Sequence, residues 1–194
     1  SCDLNNRVRA AIHIFHQESA PSKDADIYIT EQTTLLYAWM KGHYSSVVGS
    51  EFLAPEHQPG EIISDGTRHE SLTSLSFDDN SFDYMLSFDV FEHIPDYQAA
   101  IHEYLRVLRP GGQILFSVPF CFDSNEHVVR ARIRDDGAVE HLLEPEYHGD
   151  PLNAAGCLCF YQFGWRLLEE FKEAGFDSVK SLFYWSDKFG YLGL

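Results

Sequence analysis

The chain has 194 residues, enough for one domain with a real apolar core, and its 44% hydrophobic and 23% charged residues are those of a globular protein rather than a disordered one. Fourteen Lys and Arg against thirty Asp and Glu leave a formal net charge of −16, a field that repels phosphate backbones and anionic lipid, so a nucleic-acid partner is not expected. Four cysteines are too few for a disulfide framework, no apolar run nears the ~20 residues that span a bilayer, and the first residues lack the basic-then-apolar layout of a signal peptide, so the expected setting is a reducing cytoplasm with no membrane.

No repeat or linker interrupts the chain, and residues 1–194 read as one domain. Val8, Ile12 and Phe15 follow helical spacing, so residues 1–25 form an N-terminal helical region that Ala20-Pro21-Ser22 ends. Asp26 to Thr30 (D-I-Y-I-T) reads as a first strand. Thr33 or Thr34 then caps a helix to about Lys41, with Leu35, Leu36 and Trp39 facing inward. Ser46 to Glu51 (S-V-V-G-S-E) is a second strand, Glu61 to Ser64 a short third and Phe82 to Val90 a fourth. After Pro95 and Asp96, Tyr97, Ile101, Leu105 and Leu108 recur every three to four residues, and Arg109-Pro110-Gly111-Gly112 stops that helix. Gln113 to Phe120 is a fifth strand, Gly164 to Ala174 a helix closed by Gly175, and Val179 to Trp185 a sixth strand; a seventh opens as the chain reaches Leu194. Strand and helix in alternation predict an α/β fold: a Rossmann-like three-layer sandwich, its sheet mainly parallel and its seventh strand incomplete.

Cys121 to Gln162 lacks clear periodicity. Arg130, Arg132 and Arg134 alternate there, either as the solvated face of a strand or as a site for an anionic substrate. The turn-rich tract E-P-E-Y-H-G-D-P (Glu144 to Pro151) holds the densest supply of general bases in the chain. His148 taking a proton while Asp150 orients it would serve a nucleophile that must be deprotonated. Cys157 and Cys159 are read as buried free thiols, and since His141, Glu146, His148 and Asp150 match no standard ligand spacing, no metal is expected. Cys2 followed by Asn5-Asn6-Arg7 has the look of the tail of a cysteine-rich element.

Three motifs stand in register: L-S-F-D-D-N-S-F-D (Leu75 to Asp83), F-D-V-F-E-H-I-P-D (Phe88 to Asp96) and R-V-L-R-P-G-G (Arg106 to Gly112). Their order and spacing resemble class I S-adenosylmethionine-dependent methyltransferases of the type 11 kind, over about Asp26 to Trp185. The resemblance implies S-adenosylmethionine as cofactor, S-adenosylhomocysteine as product, and residues 121–162 as a substrate-binding insert. In open α/β sheets ligands sit beyond the carboxyl ends of the strands, here near Thr30, Glu51, Asp65 and Asp89. A carboxylate closing the second strand can accept hydrogen bonds from both ribose hydroxyls of an adenosine, so Glu51 is the candidate there, beside Gly49 and Phe52. By resemblance, Glu70, Ser71 and Leu72 border the adenine, and Phe88 and Asp89 line the methionine side. His93 holds the Glu-His position, as a packing or a catalytic residue.

The family's glycine-rich first loop is missing: Tyr28 to Thr34 reads Y-I-T-E-Q-T-T. Thr30, Glu31 and Gln32 then supply polar contacts in place of bare backbone, with Glu31 facing the methionine ammonium. The expected acceptor is a small molecule or glycan-type metabolite. The alternative is a non-catalytic binding module that kept the scaffold. A nicotinamide-dependent oxidoreductase fits the sheet but leaves R-V-L-R-P-G-G and the Glu-His pair without a role.

Overall fold

The computed structural model describes residues 4–191; Cys2 and the expected strand opening at Leu194 lie outside the described residues. Four parallel strands make the central sheet: β1 (Asp26–Ile29), β2 (Ser46–Gly49), β3 (Phe82–Phe88) and β4 (Leu108–Ser117), in the order β2-β1-β3-β4. β1 is flanked by a strand on each side and covered on both faces, which is why Ile27-Tyr28-Ile29 is an unbroken apolar run with every residue fully buried.

Helices α1 (Asn6–Ser19) and α2 (Leu35–His43) cover one face, where Phe15, Leu36 and Met40 pack on Ile27, Ile29 and Leu86. Helices α3 (Tyr97–Val107) and α4 (Arg166–Ala174) cover the other, where Tyr104, Leu167 and Phe171 meet Tyr28 and Met85. This is the expected α/β three-layer sandwich. The caps explain the helix boundaries. Asn5 accepts from Val8 N, Thr34 from Tyr37 N and Asp96 from Ala99 N, each satisfying an amide the helix leaves orphaned. Gly175 ends α4 with φ 119°, a conformation that favours glycine.

Four sequence expectations are corrected. Glu61–Ser64 is not a strand: Ile62 makes only an isolated antiparallel bridge to Arg68 and is exposed. The place beside β2 is taken instead by His69, in a single parallel bridge to Glu51. Residues 179–185 form no ladder, and Leu182, Phe183 and Trp185 face solvent. Leu35 points outward and Met40 takes the inward position expected of a neighbour, because the buried stripe of α2 runs through Leu36 and Met40. Arg109-Pro110-Gly111-Gly112 does not precede the strand but loops out within it: Phe82 pairs with Leu108, and the next partner of β4, Gln113, faces Tyr84.

The insert is made of short antiparallel pieces. Strands β5 (Val128–Val129), β6 (Ala131–Ile133), β7 (Val139–His141), β8 (Tyr147–His148), β9 (Cys157–Leu158) and β10 (Tyr161–Gln162) pair as β10-β5, β6-β7 and β8-β9. No helix among the described residues is long and apolar enough to cross a membrane.

Candidate functional site

The carboxyl ends of β1, β2 and β3 open into a groove whose walls include Thr30, Glu31, Glu51 and Asp89. The geometry of this edge is set by Glu51. Its Oε1 accepts from the amides of Gln32 (2.7 Å) and Thr33 (2.8 Å) and from the Thr33 hydroxyl (2.8 Å). One carboxylate oxygen thus does for the first loop what a glycine-rich turn does with backbone alone: it gathers two consecutive N–H groups and fixes their direction. Gly49, two residues earlier, leaves the room. A Cβ there would stand 2.6 Å from the Glu31 carbonyl oxygen and 2.6 Å from the Tyr37 ring. Gly49 thus lets the first loop and α2 pack directly against the end of β2.

Glu31 is half-buried at this edge, and burial raises its carboxyl, with Glu51 and Asp89 adding repulsion against a hydrogen bond from Thr34 that lowers it. Asp89 leaves β3 with φ 54°. It is held there by its amide donating to Ser117 O (2.9 Å) and its Oδ1 accepting from Ser117 Oγ (3.0 Å). Arg7 of α1 reaches across to the other Asp89 oxygen. Thr30 donates to Ser87 Oγ at 3.2 Å. Three carboxylates face this groove at the ends of parallel strands; Arg7 answers Asp89, so Glu31 and Glu51 are the two that suit an incoming cation.

Other sequence candidates divide. Phe52, Ser71, Leu72 and Phe88 line the groove, Phe52 being well exposed to it. Glu70 does not: it is buried, its Oε1 receiving Arg68 Nε (2.7 Å) and Ser76 Oγ (2.5 Å), its Oε2 receiving Ser76 N (2.9 Å). Gln32 spends its side chain on the facing loop, donating to Gly66 O and accepting from Arg68 N, both at 2.8 Å. These two residues brace the loops around the site.

At the far end of β3 a 3₁₀ turn, Phe91–His93, carries the Glu-His pair. The insert docks on it: Phe160 N donates to Glu92 O (2.7 Å), and His93 Nδ1 donates to Leu158 O (2.8 Å). Burial lowers the His93 imidazole. The expected His148–Asp150 relay is not formed. His148 Nε2 lies 3.2 Å from Glu146 and Nδ1 3.3 Å from Glu92, while Asp150 accepts from Leu152 N (2.8 Å) and faces the groove. Glu92 escaped sequence reasoning as a site residue; a carboxylate inside F-E-H-I-P, among apolar neighbours, was the available signal. The three arginines are paired within the insert: Arg130 with Glu146, Arg132 with Glu140, Arg134 with Asp136. Arg132 and Arg134 form the solvated face of the β6–β7 hairpin, Arg130 lies largely buried before it, and all three are answered by carboxylates rather than set toward an anion.

Residues 35–116 match a family model described as a methyltransferase domain. Over that stretch, less than half of the chain, the sequence is similar to a methyltransferase domain. In sequence the chain is similar to a demethylmenaquinone methyltransferase of Listeria monocytogenes serotype 4a (strain HCC23), 27% identical over 124 residues, 58% of this chain and 48% of that one. The chain thus spans about half the length of the curated relatives it matches first. In structure the chain shares its fold with the 1,6-didemethyltoxoflavin-N1-methyltransferase of Burkholderia thailandensis, solved with bound 1,6-didemethyltoxoflavin and S-adenosylhomocysteine (TM-score 0.58, 17% identity, 90% of this chain and 69% of that one). It is similar also to an S-adenosylmethionine-dependent methyltransferase of Mesorhizobium loti (TM-score 0.55, 16% identity, covering 90% and 83%).

Proposed function

We propose that this chain transfers the methyl group of S-adenosylmethionine to a small-molecule or glycan-type acceptor. The observation that carries the proposal is the convergence of Glu31, Glu51 and Asp89 on one groove at the carboxyl ends of β1, β2 and β3. S-adenosylmethionine bears a sulfonium and an ammonium, and a half-buried carboxylate such as Glu31, whose charge is disfavoured by burial and by its acidic neighbours, is stabilised by a cation beside it. Glu51 keeps its Oε2 free of the loop and offers it to the ribose; Phe52, Ser71 and Leu72 border the adenine; Thr30 and Phe88 line the methionine side. The cofactor, once bound, supplies an electrophilic methyl group.

The protein's own part is positioning: holding the acceptor atom in line with that methyl and excluding water. The insert, residues 121–162, closes the acceptor side. There Asp150, on the groove wall, is the group we assign to the acceptor, in place of His148, whose ring nitrogens face Glu92 (3.3 Å) and Glu146 (3.2 Å) and which is not on the groove wall. The acidic surface and the small-molecule acceptors in the names of relatives, such as demethylmenaquinone, favour a small acceptor over nucleic acid. Free thiols at Cys121, Cys157 and Cys159 suit a cytoplasmic setting.

Calorimetric titration with S-adenosylmethionine, S-adenosylhomocysteine and NAD tests the cofactor assignment. Binding of the first two with no heat from NAD is expected; binding of NAD alone, or of none, overturns it. Once an acceptor is in hand, Asp150→Asn should cut single-turnover rate by roughly a hundredfold, the usual worth of a positioned proton acceptor, and leave cofactor affinity unchanged.

A further inference from the structure

Where the insert meets the 3₁₀ turn, four side chains from distant parts of the chain converge: Glu92, His93, His148 and Cys159. Donor atoms of His93, His148 and Cys159 all lie within 4.8 Å of one another. Glu92 is fully buried beside them, its Oε1 3.7 Å from His93 Nε2 and 3.3 Å from His148 Nδ1, and neither of its oxygens has a hydrogen-bond partner. An orphaned buried carboxylate costs several kcal/mol unless something positive answers it. Protonation would remove the charge but still leave a buried acid without a partner.

The hydrogen bonds around the cluster prepare the imidazoles as ligands. A carbonyl can only accept, so His93 Nδ1 carries the proton it donates to Leu158 O, and its Nε2 lone pair is left facing Glu92. His148 Nε2 donates to the Glu146 carboxylate at 3.2 Å, leaving the Nδ1 lone pair on the side of Glu92. Both are the outer contacts that metal-ligating histidines use: one ring N–H anchored on a carbonyl or carboxylate, the other nitrogen free toward the ion. Cys159 is buried just after β9, and Cys157, which opens that strand two residues earlier, is not in the cluster.

We propose that this cluster is a zinc site, with His93 Nε2, His148 Nδ1 and Cys159 Sγ as ligands and the Glu92 carboxylate as the fourth. Two nitrogens, one thiolate and one oxygen form a set that suits the borderline-soft Zn2+ and none of the hard cations. Tetrahedral zinc with bonds of about 2.0–2.3 Å sets its donors about 3.3–3.6 Å apart, so the His93, His148 and Cys159 donors, now within 4.8 Å of one another, draw in by about 1 Å, and the Glu92 carboxylate, which lies outside that set, turns in beside them. The ion displaces the thiol proton of Cys159 and, if Glu92 carries one, that proton as well, both going to solvent. With four protein ligands the site is closed. Its role is to rivet the insert, through His148 and Cys159, to the end of β3, through Glu92 and His93, and so to hold the acceptor wall over the groove. The site stands on its own geometry whether or not the methyl-transfer reading holds.

The test uses the full chain without a histidine tag. Metal analysis after gel filtration should find about one zinc per chain. Chelation should lower the melting temperature, and zinc should restore it. Cobalt added to the chelated protein should give the visible bands of a tetrahedral site together with the near-ultraviolet band of a thiolate–cobalt bond. Cys159→Ser should lose that thiolate band, whereas Cys157→Ser should keep it. If Cys159→Ser fails to fold, the titration of the unmutated protein still decides. A folded chain that takes up no stoichiometric zinc and shows no thiolate band with excess cobalt overturns the proposal, as does a band that survives in Cys159→Ser.

Discussion

The sheet and the insert are held together by different physics. In the sheet, apolar side chains meet across long parallel ladders: Phe171 of α4 stacks on Phe116 of β4 with centroids 4.9 Å apart, and Tyr28, Met85 and Tyr104 are wholly buried between them. In the insert, no pair of strands is longer than three residues, and the contacts that tie it are polar: Arg132 with Glu140, Arg134 with Asp136, His93 with Leu158. A layer that excludes water stabilises itself through area. A layer of solvated ion pairs contributes little stability and leaves its shape open to what lies against it. The difference assigns durability to the sheet and adaptability to the wall that faces the acceptor.

Substitutions on the two sides should separate accordingly. Phe171→Ala removes a side chain 1% exposed and should cost about 3–5 kcal/mol of unfolding free energy in a denaturant titration; a loss below 1 kcal/mol would mean that the layer repacks freely. At the strand ends, Glu51→Ala removes the acceptor of two loop amides. Affinity for S-adenosylmethionine should fall at least tenfold as the ribose contact and the loop geometry are lost together, and the melting temperature should drop too, since hydrogen bonds to a charged group contribute about 1.5–3 kcal/mol each. Unchanged affinity would detach Glu51 from the site.

Glu31→Gln should weaken S-adenosylmethionine and S-adenosylhomocysteine alike, about tenfold, and leave adenosine nearly untouched, because only the first two carry an ammonium. The pH dependence follows from the same group. Burial raises the Glu31 carboxyl, so in the empty protein it takes up its proton at a higher pH than an ordinary glutamate. A cation prefers the ionised form. Affinity for both ammonium-bearing ligands should therefore be full above that raised range and fall as pH drops through it, and Glu31→Gln should flatten the profile. Equal loss for adenosine would contradict the contact. The smallest effect belongs to the insert: Arg132→Ala breaks an exposed pair and should change stability by no more than about 0.5 kcal/mol.

β1, β3 and α3 were legible in the sequence because their signals are local: an unbroken I-Y-I, an apolar run after F-D, and Asp96 capping a helix whose inward residues recur at helical spacing. Glu61–Ser64 and Val179–Trp185 were misread because a short apolar run cannot say whether a partner strand stands beside it, and Ile62, Phe183 and Trp185 proved exposed. At the site, Glu51 and Glu31 were legible as carboxylates at strand ends. That Glu51 organises the first loop, and that Glu70 is buried against Arg68 and Ser76, depends on where two loops meet, which no spacing encodes. The gathering of Glu92 with His148 and Cys159 joins residues more than fifty positions apart, and pattern reasoning offers no purchase on it.

β4 is the outermost strand of the sheet, and among the described residues no ladder forms on its outer side. Its first part is guarded: Pro110 has no N–H to offer, and the loop Arg109–Gly112 bends the chain away from a straight edge. From Gln113 to Ser117 there is no such guard, and every second backbone amide and carbonyl there points outward. That stretch is a template on which a further extended segment can be laid, in the same parallel sense as β3 or in the opposite one, without disturbing any contact within the four strands.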